Sequence, residues 1–517
     1  AFAFVLPFSL VRQMSVDRLK GSLTGKKRCL PAVAGIIAGL SVSIAGNMHY
    51  VVYSKIIPWI QKLQGREVDS YWFPDATRYI GYNPDVPDKT IHEFPCYSFV
   101  LGDLHASGKC NVCAVSGGTS LCVDAKCADE RSSDHEAGPE TVLEKTAVDS
   151  AYPAGCSDDR YVPVYEFLGF YYLFRGDRWS GAVYQYRSFD GKVKRILAVT
   201  AVQAVEIIVI SYVVSLPFTL QFDSMFKGVG IAQNHSMIHQ LLILWGLPVI
   251  PTVLLIICII WEKLRGGANR SLYKLMKAIS VPDLFAIVMG LCAIGLIVIP
   301  ELVYVRDIYE NGNARANTMF KLTYQAYMLF GMTMGYGIFR MLVAARKKVF
   351  KVVSVIGLVL LCWTFGYFGN SVYAWFGKVW DPSEYKGLNA TSFLSNDFTE
   401  DVAGIKWLKK NVKGSPVVLE ANGDSYSGYE RVSAMTGLPT VLGWYVHEWL
   451  WRDDTADLNE KSADIESIYT SLDEEYVKEL LEEYDVSYIF VVHFYYPFFI
   501  YFLHYFIFSL LTLKLYY

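Results

Sequence analysis

Between Tyr71 and Ala106 the chain reads YWFPDATRYIGYNPDVPDKTIHEFPCYSFVLGDLHA, and this stretch concentrates groups able to do chemistry. Asp75, Glu93 and Asp103 are carboxylates of the kind that accept a proton from an attacking hydroxyl. Arg78 carries a planar, permanently charged fork that suits phosphate. His92 and His105 have side chains that ordinarily titrate near neutrality. Asp103 and His105 also form an Asp-x-His pair, a donor set that a divalent metal such as Mg or Mn accepts. The structural alternatives are plain: Asp103 caps the helix that follows, and His92 holds the loop together. Arg315 and Lys321 form a second group, one on either side of Asn317. They offer a fork and a point charge to a phosphate, or they snorkel to lipid headgroups. A third group comprises Tyr429, Trp444, His447, Glu448 and Arg452, with Trp449 and Trp451 interleaved. Such a mixture stacks on a sugar or sits at a membrane surface.

The elements that position these residues are mostly apolar. The chain has 517 residues, 53% hydrophobic and 15% aromatic, with a formal net charge of −3. That balance leaves no basic footprint for nucleic acid. A helix crosses a bilayer with about 20 apolar residues. Windows of that length run over Leu30–Val52, Ile196–Phe222, Ile238–Trp261, Leu284–Val305, Leu322–Ala344 and Val352–Phe376. Glu206 and Glu301 fall inside two of them, and carboxylates there are functional hypotheses by default. Ala1–Leu10 is apolar but too short to span, and reads as the end of a helix that starts upstream. Four basic segments, Arg12–Arg28, Gly191–Arg195, Glu262–Lys277 and Ala345–Lys351, are assigned to the cytoplasm by the positive-inside rule. The Tyr71–Ala106 stretch, Arg306–Lys321 and everything from Gly377 to about Tyr488 then lie outside. The expected fold is mainly α: a polytopic helical membrane protein in contact with the lipid bilayer, with a small external α/β domain. Its divisions are 1–106 (helices plus external loop), 107–195, 196–376 (helix bundle), 377–490 (external α/β domain) and 491–517.

Two segments break this pattern. An odd number of crossings must separate Ala106 from the basic Gly191–Arg195, yet Ser107–Arg160 holds no apolar run long enough to cross. It holds five of the ten cysteines instead. Cys110 and Cys113 form a C-x-x-C, but Cys122 and Cys127 have the wrong spacing for a zinc ribbon. A segment read out of frame or inserted explains that composition better than a metal site does. Phe490–Tyr517 is a monotonous Phe/Tyr/Leu run that serves either as a final anchor or as an artefact of the same kind. Within the external domain, Asn396–Val412 predicts a helix capped by Thr399, Pro416–Glu420 a strand, Asp473–Tyr484 a second helix and Val486–Val492 a second strand. ANGDSYSGYER lacks the glycine spacing of a phosphate loop.

Three blocks carry a resemblance: the Tyr71–Ala106 stretch, ARANTMFKLTYQAY (Ala314–Tyr327) and VLEANGDSYSGYERVSAMTGLPTVLGWYVHEWLWR (Val418–Arg452). They resemble the prokaryotic YYY membrane-protein family over Leu30–Ala106 and Ile196–Val492. That family is grouped by fold with the GT-C glycosyltransferases, which take sugars from polyprenyl-phosphate carriers. The resemblance implies a prokaryotic cell-membrane protein that transfers a sugar at the outer face. The catalytic candidates are then Asp103, His105, Asp75 and Glu93. The substrate and phosphate candidates are Arg78, His92, Arg315, Lys321, Tyr429, Trp444, His447, Glu448 and Arg452. The family usually continues GDLHA with a histidine and a further helix, where this chain has Ser107. It also has upstream helices and an early external loop. The chain is therefore expected to be an incomplete, inactive fragment. A transporter and a non-catalytic scaffold are the competing readings.

Overall fold

The computed structural model of the chain describes residues 1–19, 29–103, isolated positions between 198 and 220, 227–265, 272–449 apart from 308, 310, 311, 380, 384–386, 388 and 390, and 455–491. The Cys-rich segment, most of the Ile196–Phe222 window including Glu206, and residues 492–517 of the apolar C-terminal run lie outside the described residues. The chain divides into two compact units, 1–220 with 226–381, and 221–225 with 382–517.

The first unit is a helix bundle. Helices α1 (Phe2–Arg18) and α2 (Leu30–Ser43) pack together. Gly35 and Gly39 of α2 make this contact close: a Cβ at either would stand 2.7 Å from Phe8 or Phe4. The chain then turns. Helix α3 (Met48–Val51), a π-helical turn (Val52–Ile56) and α4 (Ile57–Leu63) form an arm that leaves α2 at 80°. The helix expected over Leu30–Val52 is thus broken after Ser43, and Asn47 is the physical reason. Its side chain accepts from the His49 N–H (3.2 Å) and donates to the Ala76 carbonyl (2.8 Å), capping a new helix at the bend. Gly46 beside it leaves the room that Tyr367 fills.

A loop with one 3-10 turn (Phe73–Ala76) leads to α5 (Pro95–Leu101). After β1 (Val229–Ile231) come α6 (Ile238–Arg265), α7 (Leu272–Ala278), α8 (Val281–Leu302), β2 (Val303–Val305), α9 (Ala316–Ala344), α10 (Lys348–Thr364) and α11 (Gly366–Phe376). The two short strands pair antiparallel, Val229 opposite Val305. Among the described residues four helical stretches are long and apolar enough to cross a membrane: α6, α8, α9, and α10 with α11. The bent α2–arm pair is a fifth if counted as one.

Helix α9 is the centre, with α1, α2, α6, α8 and α10 all packed on it. It starts at Ala316, earlier than the hydropathy window, because its polar first turns have partners. Asn317 donates to Asp307 (2.7 Å), and the Thr318 hydroxyl accepts from the Val305 N–H (2.9 Å). Gly331 and Gly335 let α2 approach; a Cβ there would meet Val42 or Ala38 at 2.6 Å.

The second unit contains α12 (Ser392–Asp397), α13 (Thr399–Asn411), β3 (Val417–Leu419), α14 (Arg431–Thr436), α15 (Tyr445–Trp449), α16 (Ala456–Thr470), α17 (Glu474–Glu483) and β4 (Val486–Ile489). Strands β3 and β4 pair in parallel, Leu419 opposite Ile489. Leu419, Leu458, Ile465, Val477 and Leu480 form one core beneath them. Thr399 does not cap α13; it is the first helical residue, and its hydroxyl donates back to the Ser395 carbonyl (3.0 Å).

Candidate functional site

The loop between the arm and α5 folds back on itself through backbone hydrogen bonds. The Thr90 N–H donates to the Ile80 carbonyl (3.1 Å), and the His92 N–H to the Thr77 carbonyl (2.9 Å). This brings Glu93 beside Arg78. Arg78 Nη1 donates to Glu93 Oε1 (2.8 Å), to the Thr77 hydroxyl (2.7 Å) and to the Tyr97 hydroxyl (3.2 Å). The guanidinium also lies 5.4 Å from the centre of the Tyr97 ring. Every side-chain hydrogen bond Arg78 makes among the described residues leaves from Nη1. The Arg78 side chain is 31% exposed and that of Glu93 10%. Burial pushes the Tyr97 phenol up; Arg78 opposes this, while the charges of Glu93 and Asp103 add to it.

Asp103 is near enough for its charge to act on Tyr97. It is exposed and follows the C-terminus of α5, where Gly102 is left-handed (φ 76°) and the Asp103 N–H closes onto the Ser98 carbonyl (2.8 Å). Asp75 stands on the 3-10 turn at the protein surface, near Tyr71, and partial burial raises its carboxyl above the usual range. Chemically, the group is a partly exposed guanidinium held by Glu93, Thr77 and Tyr97, with the Asp103 charge felt at Tyr97. His105 lies outside the described residues.

The other expected members of this end have structural work. His92 is buried, with Nδ1 3.5 Å from the Thr90 hydroxyl and its ring against Trp245. Burial, reinforced by the nearby Arg315 charge, lowers its pKa to about 3, so it is neutral at physiological pH. Its ring thus packs between the loop and Trp245 of α6. Arg315 was expected to meet a phosphate. Its side chain is only 2% exposed, and it clamps Asp88 Oδ2 through Nε (2.9 Å) and Nη2 (2.6 Å) and Glu301 Oε2 through Nη1 (2.9 Å). Glu301 in turn accepts from the Ser236 N–H (2.9 Å) and hydroxyl (2.5 Å). The arginine ties the loop to α8 and α9. Lys321 lies in the second turn of α9, half-buried and with an interaction of its own.

Sequence reasoning missed a second ionic network at the basic end of the bundle. Asp283, fully buried, accepts from Arg18 Nε (3.1 Å), Arg340 Nε (3.0 Å) and the Tyr336 hydroxyl (2.7 Å). Arg340 Nη2 also reaches Glu262 Oε2 (2.8 Å). The available signal was an acid in the first turn of one apolar helix and an arginine near the end of another. Four helices, α1, α6, α8 and α9, are pinned together there.

In the second unit Trp444 donates its indole N–H to the Tyr429 carbonyl (2.9 Å). The ring of Tyr426, 83% exposed, lies 5.5 Å from Trp444 and 4.9 Å from His447. Glu448 follows, and its carboxylate lies over Gly443. Glu430, which sequence reasoning did not select, is buried close to Glu420 and Glu448, and together these effects push its carboxyl up to about 9. Arg452 lies outside the described residues.

For a divalent cation the donors do not gather: among the described residues no three His, Cys, Asp or Glu side chains converge as a metal site.

No curated protein matches the chain. A family model described as "Uncharacterized membrane protein (DUF2298)" matches residues 1–282 and 269–330, well over half of the sequence. With its membrane-length helices and this match, the chain is an integral, multi-pass membrane protein belonging to the DUF2298 family.

Proposed function

We propose that the protein is a prokaryotic, lipid-phosphate-dependent glycosyltransferase of the GT-C kind, working at the outer face of the membrane with the second unit extracytoplasmic. The observation that carries this reading is the Arg78 group. A partly exposed guanidinium uses one nitrogen for Glu93 and Tyr97, so the rest of its fork is available to a phosphate. An exposed carboxylate, Asp103, lies close by.

In the reaction an acceptor hydroxyl attacks the anomeric carbon of a polyprenyl-phosphate sugar. Its proton passes to Asp103, the bond from the anomeric carbon to the phosphate oxygen breaks, and the polyprenyl phosphate leaves with the electron pair. Arg78 meets the charge that develops on the phosphate. Glu93 and Tyr97 orient Arg78, and Asp75 is a further surface carboxylate for the acceptor. In the second unit, taken by itself, Tyr429, Trp444, His447, Glu448 and Arg452 are proposed as a group that stacks on a sugar.

The test is saturable binding of a radiolabelled polyprenyl-phosphate sugar by the purified chain in nanodiscs. Arg78→Gln is expected to weaken binding tenfold or more, and Asp103→Asn to leave it within about threefold. Absence of binding, or binding indifferent to Arg78, would sink the enzyme reading and favour a non-catalytic scaffold.

A further inference from the structure

The arm from Met48 to Leu63 has two unlike faces. On the inner face Tyr50 and Val51 are buried, and the Tyr53 hydroxyl bonds that of Tyr79 (2.9 Å). On the outer face Ile56, Trp59, Ile60 and Leu63 are 36%, 61%, 39% and 69% exposed. Their spacing is i, i+3, i+4, i+7, one continuous helical stripe. Lys55 and Lys62 are exposed along the same arm.

The direction of the arm is fixed. It leaves α2 at 80°, and α2 packs along the central span α9. The bend is held from several sides. Tyr327 donates to the Ala45 carbonyl (2.6 Å), the Gly46 N–H donates to the Thr364 carbonyl (3.1 Å), and Asn47 binds Ala76 (2.8 Å). An arm so held stays nearly perpendicular to α2.

Two further observations identify what covers the stripe. Exposed aromatics gather nearby. Phe73 bridges Trp72 (5.1 Å between ring centres) and Trp375 (6.0 Å), and Tyr373, Trp375 and Phe376 at the end of α11 are each half or more exposed. Aromatic girdles of this kind mark the headgroup level. The exposed apolar surface also continues along α10, where Val352, Ile356, Val359 and Trp363 face outward from a membrane-length helix.

We infer that Met48–Leu63 is an interfacial helix whose Ile56–Trp59–Ile60–Leu63 stripe is seated in the bilayer surface at the end of the bundle opposite Arg18 and Arg340. Lys55 and Lys62 extend to anionic headgroups. An interfacial helix buries its apolar face about 5–10 Å into the headgroup boundary. The inference is independent of glycosyl transfer.

The test uses the full chain in vesicles of phosphatidylcholine and phosphatidylglycerol, with p-benzoylphenylalanine placed in turn at Trp59, Ile60, Leu63 and Gln61. Irradiation is expected to give lipid adducts at Trp59, Ile60 and Leu63, attached near the glycerol and upper acyl carbons. The yield at Gln61 should be at least fivefold lower. Lys55→Gln with Lys62→Gln should halve the share of phosphatidylglycerol among the adducts. Trp59, Ile60, Leu63, Lys55 and Lys62 are exposed and Gln61 is half-buried with its amide on Asp69, so no buried core residue is replaced. Adducts only to protein would overturn the inference in favour of a partner or a second copy. Equal yields at all four positions, or adducts that move toward the acyl terminus along the arm, would overturn it in favour of a transverse helix.

Discussion

Arg78 and Arg315 look alike in the sequence, both at the end of the bundle away from the basic segments, yet their surroundings separate them. Arg315 is enclosed by Asp88 and Glu301. Removing one partner of such a buried group leaves uncompensated charge and costs about 3–5 kcal/mol. Arg315→Ala is therefore expected to lower the thermal midpoint of the purified chain by many degrees. Arg78→Gln, at a partly exposed pair, should cost about 1 kcal/mol or less. Comparable melting losses for the two would contradict these assignments. The Arg315 clamp was illegible beforehand because Asp88 lies 227 residues away and sits among ordinary loop residues. The nearness of Glu93 to Arg78, fifteen positions apart, was within reach of local reading. Glu430 gives a prediction of a different kind. Its carboxyl, ordinarily 4.5, titrates near 9 in the folded unit because it is buried and because Glu420 and Glu448 face it; Arg431, next in sequence, is paired with Asp401. Between those values the folded state holds a proton that the unfolded state releases, so stability falls as pH rises and levels off above about 9. Glu430→Gln should remove that slope. It should raise stability at pH 7 by up to about 3 kcal/mol and change nothing at pH 4, read by thermal melts across the range.

Helix positions followed from apolar periodicity wherever a span was long and its ends polar. The bend after α2 did not, because Ile44–Asn47 contains no proline and the apolar run continues through it; the break is made by tertiary bonds from Tyr327, Thr364 and Ala76. Helix α16 was missed for the opposite reason. Only Leu458, Ile465, Ile468 and Tyr469 of its fifteen residues are buried, too sparse a stripe to stand out from a loop. The packing of α2 on α9 depends on absent side chains. At Gly335 a Cβ would stand 2.6 Å from the Ala38 Cβ and 2.7 Å from its Cα, so the two backbones must separate. Gly335→Val is expected to destabilise the bundle by about 1–3 kcal/mol or more. Gly369, with nothing within 4 Å, should accept alanine without loss and with a gain of up to about 1 kcal/mol. Thermal unfolding of the two variants side by side checks the contrast.

At the scale of the molecule, charge orders the first unit. Among the described residues Arg18, Glu262 and Arg346, from three of the basic segments, meet at one end, where Arg18 and Arg340 share Asp283 and the Arg346 N–H donates to Glu262 (2.9 Å). The Arg78 group, the Arg315 clamp and the arm lie at the other. Single cysteines replacing Lys348 and Asp85, both exposed, should therefore react with an impermeant maleimide from opposite sides of a sealed vesicle. Labelling from the same side would refute the orientation. The family match secures a membrane protein, while the chemistry rests on a handful of residues at one end. The most direct measurement is photolabelling of the chain in nanodiscs with a diazirine-bearing polyprenyl-phosphate sugar, followed by peptide mapping. The account predicts adducts, displaced by unlabelled donor, within the loop and helix from Phe73 to Asp103, and their loss in Arg78→Gln. Labelling confined to the basic end around Arg18, Arg340 and Arg346, or no displaceable labelling, would contradict it.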